Sequence, residues 1–317
     1  MYFSIIVNQI LILAFLAIIG VIVTKLKVIT EQVKNGIAIV VFNITLPALI
    51  ITSVTNVELN REVLSNSLWV FIISNIGIIL LYIVGKTSRR IQNIKGKTGN
   101  VHVIHTMLGN VAFLGYPLFS ALFPGGEGLF YAVIFHLTQD IYIWTVGVFE
   151  FNSSKNLKFT ESLKHLLNPN IIAFAIGLIM LGLGLKIPKL FFDPIYGLGR
   201  TTIYMAMLYI GAVLAQNTMF SAFKKLQIYI LGFNKMLLVP FILLIIINIL
   251  SDYCNIHISN TAKTVVVMQT AMPCMAMVVV LAKKFGSDDL HATENLFLTT
   301  LFSLATLPIL YYIIQIF

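Results

Sequence analysis

A chain of 317 residues that is 58% hydrophobic and only 10% charged falls far below the roughly 25% charge of a soluble domain, which excludes a soluble enzyme and marks an integral membrane protein. Its net charge of +9 does not point to nucleic acid, because the basic residues stand in short runs beside apolar segments, not in a patch with interleaved aromatics. Two cysteines, Cys254 and Cys274, supply neither a disulfide framework nor a metal site, and no cofactor is expected.

Apolar stretches of roughly 20 residues, the length that crosses the hydrocarbon core, recur ten times. The first, 3–24, has no basic run before it, and Lys25 and Lys27 follow it, the reverse of a cleaved signal peptide. The second, 33–55, contains FNITLPALIITS, in which Asn43, Thr45 and Pro47 make a polar kink. The third, 66–85, offers only Ser74 and Asn75 in its middle. The fourth, 99–122, is followed by the external turn at Pro124, Gly125 and Gly126; from residue 109 it carries GNVAFLGYPLF, with Gly109, Asn110, Gly115 and Pro117 as helix breakers.

The fifth span, 128–149, holds Asp140 near its middle, with His136 four residues earlier on the same face and Gln139 adjacent. A polar connection at 150–168 follows. The sixth to tenth spans lie at 169–187, 198–217, 228–250, 262–283 and 293–316; Lys235 interrupts the eighth, and the ninth contains QTAMPCM, with Gln269, Thr270 and Pro273.

The charges orient this series. Connections after odd-numbered spans carry Lys25, Lys27, Lys34, Lys86, Arg89, Arg90, Lys95, Lys97, Lys155, Lys158, Lys164, Lys224, Lys225, Lys235, Lys283 and Lys284, which is 16 of the 21 Lys and Arg residues. By the positive-inside rule these loops are cytoplasmic, and both termini lie outside a multi-pass protein of the plasma membrane. Because five spans precede the 150–168 connection and five follow it, a second copy of the first unit is inverted, as in many secondary transporters. The expected organisation is a first five-helix repeat at 1–150, a cytoplasmic connecting loop at 151–168 and an inverted repeat at 169–317.

Each repeat has a proline in its fourth helix, Pro117 and Pro273. Proline removes a backbone donor and glycine releases helical geometry, and in a membrane such a break is tolerated only where it is buried in protein or lines a wet cavity. Two breaks meeting near the midplane present half-helix N-termini suited to an anion. Asn110, Gly109, Gln269, Thr270 and Asn43 are the candidate substrate ligands, and Gly115, Pro117, Pro273 and Pro47 the hinges. Each amide alone also fits an interhelical hydrogen bond.

A carboxylate at mid-membrane costs at least ~2.5 kcal/mol on insertion scales, so Asp140 must be paired, hydrated or protonated. Asp140, His136, Gln139 and His105 are therefore candidates for proton or ion coupling. A structural Asp140–His136 pair is the alternative. Asp288, Asp289 and Glu294 fall at the last cytoplasmic turn, where water is expected to reach them.

Several stretches resemble the auxin efflux carrier family, which includes plant PIN carriers and bacterial malate-type permeases. They are FNITLPALIITS at 42–53, GNVAFLGYPLFSALFPGGEGLFYAVIF at 109–135, NPNIIAFAIGLIMLGLGLKIP at 168–188 and VMQTAMPCMAMVVVLAKKFG at 267–286, followed by LTTLFSLATLPIL at 298–310. The resemblance implies an all-α fold of ten transmembrane helices in two inverted repeats, akin to bile acid and sodium–proton antiporter-like carriers. Helices four and nine would cross at Pro117 and Pro273, with Asn110 contacting a substrate carboxylate. It further implies an elevator motion of the crossover-containing domain against a scaffold that includes helices one, two, six and seven. The short 150–168 loop and the uncharged third helix depart from the plant carriers, which favours a small dicarboxylic or hydroxy acid over auxin.

The expected function is thus a secondary carrier for a small organic anion, not an enzyme. It works in a lipid bilayer without nucleic-acid partners, and proton or sodium coupling and a homodimer are left open. Its nearest rival is a sodium-coupled, bile acid symporter-like carrier, though the crossover helices offer no carboxylate for a sodium cage. A polytopic intramembrane enzyme ranks lower, since there is no HExxH helix and Asp140 is the sole mid-membrane aspartate.

Overall fold

The structure is a computed structural model that describes residues 2–58, 60–151, 168–215, 217–254 and 256–317. All but the end residues of the connecting loop expected at 151–168, with Lys155, Lys158 and Lys164, lie outside the described residues.

The helices are α1 (Tyr2–Lys25), α2 (Glu31–Val54), α3 (Arg61–Ile91), α4 (Gly96–Met107), α5 (Val111–Leu122), α6 (Glu127–Phe151), α7 (Pro169–Gly182), α8 (Lys189–Leu214), α9 (Leu226–Tyr253), α10 (Asn260–Thr270), α11 (Ala276–Lys284) and α12 (Asp289–Ile316). No strand occurs among the described residues. Seven helices, α1, α2, α3, α6, α8, α9 and α12, are long and apolar enough to cross a membrane. The other three expected spans fall on shorter pieces: α4 with α5, α7 alone, and α10 with α11.

Local sequence sets the helix starts. Thr30 accepts from Val33 N, Asn168 from Asn170 N and Ile171 N just before Pro169, Ser259 from Ala262 N, and Asp288 from His291 N. These side chains satisfy donors that a helix leaves open at its first turn.

Three prolines are accommodated without opening the chain. Each follows a widened π turn by two residues: Val41–Thr45 before Pro47, Val111–Gly115 before Pro117, and Asn234–Leu238 before Pro240. A π turn gives the proline ring room against the preceding carbonyls. Pro117 therefore sits in the first turn of the helix Tyr116–Leu122, where its missing N–H costs nothing. The fourth expected span opens earlier, at Leu108–Asn110.

The chain divides into two compact units. One comprises Met1–Ser67, Ala112–Ile134 and Leu167–Gln216, and so gathers α1, α2, α7 and α8 with all of α5 but Val111. Within it α1 and α8 touch backbone to backbone. A Cβ built on Gly20 would come within 2.7 Å of the Leu208 carbonyl oxygen, and one on Gly211 would collide with the Ala17 carbonyl oxygen. Small residues permit this approach, as at many membrane helix interfaces. Phe113 packs on Tyr209 with ring centroids 5.1 Å apart.

The second unit comprises Leu68–Val111, Phe135–Leu166 and Asn217–Phe317. It holds α4, α9, α10, α11 and α12 with most of α3. Buried carboxylates hold one end of it together. Glu150 accepts from Tyr82 Oη at 2.8 Å and pairs with Lys86, while its own carbonyl takes Asn100 Nδ2. Glu294 accepts from Ser221 Oγ and Lys225 Nζ. Glu294 is 1% exposed, so water does not reach it as the sequence position suggested. A full helical turn of α12 precedes it and carries its carboxylate into the protein.

Candidate functional site

The second unit contains the openings of two broken helices. α4 stops at Met107, and residues 108–110 leave helical geometry before α5 begins at Val111. α10 stops at Thr270, and residues 271–275 do the same before α11 begins at Ala276. The two openings pair as a single antiparallel bridge between Gly109 and Cys274. Asn110 N donates to the Pro273 carbonyl at 2.7 Å, so Pro273 lies in the opening itself.

Backbone groups freed by such breaks must find partners inside the protein. Gln139 of α6 supplies two of them. Its Oε1 accepts from Gly109 N at 2.7 Å and its Nε2 donates to the Gly109 carbonyl at 2.9 Å. Cys274 N is met by Thr299 Oγ1 at 3.0 Å, and the Met275 carbonyl by His105 Nε2 at 3.2 Å. No side chain but glycine fits at 109 without a shift, since a Cβ there would meet Met272 Cβ at 3.1 Å.

Asn110 is 3% exposed, and its Nδ2 has no hydrogen-bond partner among the described residues. A buried amide donor left unmet costs about 1–3 kcal/mol, which a carboxylate oxygen would recover. Gln269 is buried one residue before the end of α10, and its carbonyl accepts from Met272 N. Thr270 bonds back to Val266 O at 2.8 Å and faces Gly77 of α3.

Other candidates are placed differently. Asn43 belongs to the first unit, where it is exposed and turns its amide onto Ile39 O at 2.9 Å. Pro47, Gly115 and Pro117 also belong to that unit, beside π turns. Asp140 and His136 are both buried, with Asp140 Oδ1 3.5 Å from His136 Nε2. His105 is buried in the last turn of α4. Gln139 has its carboxamide committed to Gly109.

Lys235, which the charge pattern groups with the cytoplasmic cations, is fully buried, and its Nζ donates to the Thr106 carbonyl in the last turn of α4 at 3.1 Å. The available signal was its place inside the run LGFNKMLLVPF, where a solvated lysine has no reason to sit.

Comparison with known proteins gives a consistent picture. The family described as Membrane transport protein, which is the auxin efflux carrier family, matches residues 5–162 and again 155–311. An uncharacterized transporter of Methanocaldococcus jannaschii is 24% identical over 312 residues, covering 95% of this chain and 96% of its own. An uncharacterized transporter of Methanothermobacter thermautotrophicus is 26% identical over 296 residues, covering 93% of each chain.

Proposed function

The chain belongs to the auxin efflux carrier family of membrane transport proteins, and from that premise we propose that it is a secondary carrier for a small organic anion bearing a carboxylate. The observation that carries this reading is the crossover, where the Gly109–Cys274 bridge holds two helix openings together and Asn110 Nδ2 is left as an unmet, buried donor. A carboxylate is acceptor-only, so it answers that donor, and the first amide groups of α11 add a positive helix end. Gln269 and Thr270, just before the second opening, complete the proposed substrate contacts with Gly109. Asn43 belongs to this proposal only as a residue of the other unit.

Transport proceeds by an elevator-type mechanism in which the crossover-bearing unit moves as one body. What supports this is the division of the chain, since α1, α2, α7 and α8 fall in one compact unit and both helix openings, residues 108–110 and 271–275, in the other. Ten membrane passages in two inverted repeats, divided at 151–168, follow if α4 with α5 and α10 with α11 each span the bilayer as a broken pair and α7 spans with its flanking residues. The basic connections are then cytoplasmic in the plasma membrane. The Asp140–His136 contact lies within one helix and fits a structural pair.

The test is uptake and efflux of labelled carboxylates by proteoliposomes, with pH and sodium gradients imposed separately. Carboxylate flux that follows the proton gradient supports the reading. Flux that needs sodium supports a bile acid symporter-like carrier, and no flux of any carboxylate under either gradient overturns both.

A further inference from the structure

Among the described residues, Lys34, Lys86, Lys225 and Lys235 bond through their ammonium groups, the first three to a carboxylate. Lys34 pairs with Glu31, Lys86 with Glu150 and Lys225 with Glu294. Lys235 has none. Among the described residues its ammonium has one acceptor, the Thr106 carbonyl, and no carboxylate partner. An ammonium carries three donors and no acceptor, so two of its N–H groups are unmet in a side chain that is 0% exposed.

A buried charge without a counter-charge is costly, by several kcal/mol per ion. The negative end of α4, on which Lys235 sits, offsets at most ~2 kcal/mol of that. Inside membrane proteins, groups that carry such a cost mark substrate and ion paths. The lysine also stands in the π turn Asn234–Leu238, an irregularity common at functional positions.

Its surroundings are those of the crossover. Thr106 lies three residues before Gly109. Cys274, which pairs with Gly109, and His105 both lie within electrostatic reach of the ammonium. His102 is the other titratable group on the body of α4, bonded to Ser88. From α12 come His291 and Glu294, the latter already bound to Lys225 and Ser221. No unpaired carboxylate is in this set.

We propose that Lys235 is the group that couples the carried anion to a proton. The proposal rests on the carrier reading above. With a carboxylate in the site Lys235 is an ammonium and supplies its counter-charge. In the empty carrier it is a neutral amine that still donates to Thr106 O. Loading takes one carboxylate and one proton from the water on one side, the proton forming an N–H bond at Nζ. Release returns the carboxylate and breaks that N–H bond, delivering the proton to water on the other side. The loaded site is uncharged as it crosses, which removes most of the penalty for moving an anion through a low-dielectric region.

The experiment compares wild type, K235R and K235M in proteoliposomes, with labelled succinate and labelled lactate as probes. Both substitutions nearly conserve volume, and each variant is required to elute from size exclusion as the wild type does. An inward proton gradient accelerates net uptake by the wild type about tenfold, a free-energy coupling of ordinary size. K235R, permanently charged, keeps exchange of internal for external probe but loses that acceleration. K235M loses both. Gradient-driven uptake by K235R equal to the wild type, or its survival in K235M, overturns the proposal and leaves Lys235 only as a charge that balances the end of α4.

Wild type that carries neither probe under any gradient is a failure of the carrier reading, visible without a variant. The lysine is then read directly, as the side-chain nitrogen signal of labelled protein in nanodiscs that is absent from K235R. A change from ammonium to amine while the exposed lysines remain ammonium supports a titrating Lys235, and an ammonium that persists alongside them overturns it.

Discussion

The carboxamide of Gln139 closes on both backbone groups of Gly109, accepting from its nitrogen at 2.7 Å and donating to its carbonyl at 2.9 Å. A side chain on α6 thus does for one residue what a neighbouring strand would do in a sheet. Gln139→Leu leaves a buried N–H and a buried C=O unmet, at about 1–3 kcal/mol each. The expected outcome is a clear fall in Tm and loss of transport together, measured by thermal unfolding in detergent and by proteoliposome uptake. Unchanged stability would mean the opening at residues 108–110 has other support.

Asn110 makes the opposite prediction. Its backbone N–H to Pro273 O survives any substitution other than proline, and its Nδ2 holds no partner. Asn110→Ala therefore leaves stability within about 1 kcal/mol of the wild type while uptake falls at least tenfold. Asn110→Asp places a like charge against the substrate carboxylate and is expected to be worse than alanine.

Gly211 tests the first unit alone. Its Cα is pressed on the backbone of α1 at Ala17 and Gly20. Gly211→Leu forces these helices apart, an overpacking cost of about 1–3 kcal/mol or more, read as reduced folded yield and lowered Tm. Gly182→Ala, at a position with nothing within 4 Å of a built Cβ, should cost little by the same assays.

Asp288, at the N-terminal end of α12, gives a pH signature. Partial burial raises its carboxyl pKa, but the Thr98 hydroxyl and the His291 amide, with nearby positive charge, outweigh that and hold it below the ordinary value. A depressed folded pKa contributes stability that is present above the ordinary carboxylate range and lost as pH falls through the folded value. Wild type should therefore lose Tm on acidification in that window more steeply than Asp288→Asn. Equal slopes in the two proteins would contradict the assignment.

The membrane class and the break in each crossover helix were legible in the sequence because composition and helix breakers report them locally. The exact openings were not. Proline is visible in a sequence, but whether it opens a chain depends on neighbours: Pro117, Pro47 and Pro240 are each absorbed by a π turn, whereas Pro273 is held open by Asn110 and its flanking partners. Gln139 and Lys235 were visible as polar residues in apolar runs, yet their roles depend on partners 30 and 129 residues away. Periodicity cannot report such contacts. The burial of Glu294 is hidden for a related reason, since its distance from a loop says nothing about which face of α12 it occupies.

The Gly109–Cys274 crossover is proposed above as the anion site of a secondary carrier. It is tested most directly by counterflow in proteoliposomes, in which labelled succinate outside accumulates against unlabelled succinate inside, for wild type and Asn110→Ala side by side. The expected result is accumulation by the wild type and at least a tenfold loss in a folded, equally reconstituted Asn110→Ala. Equal accumulation by the two proteins would contradict it.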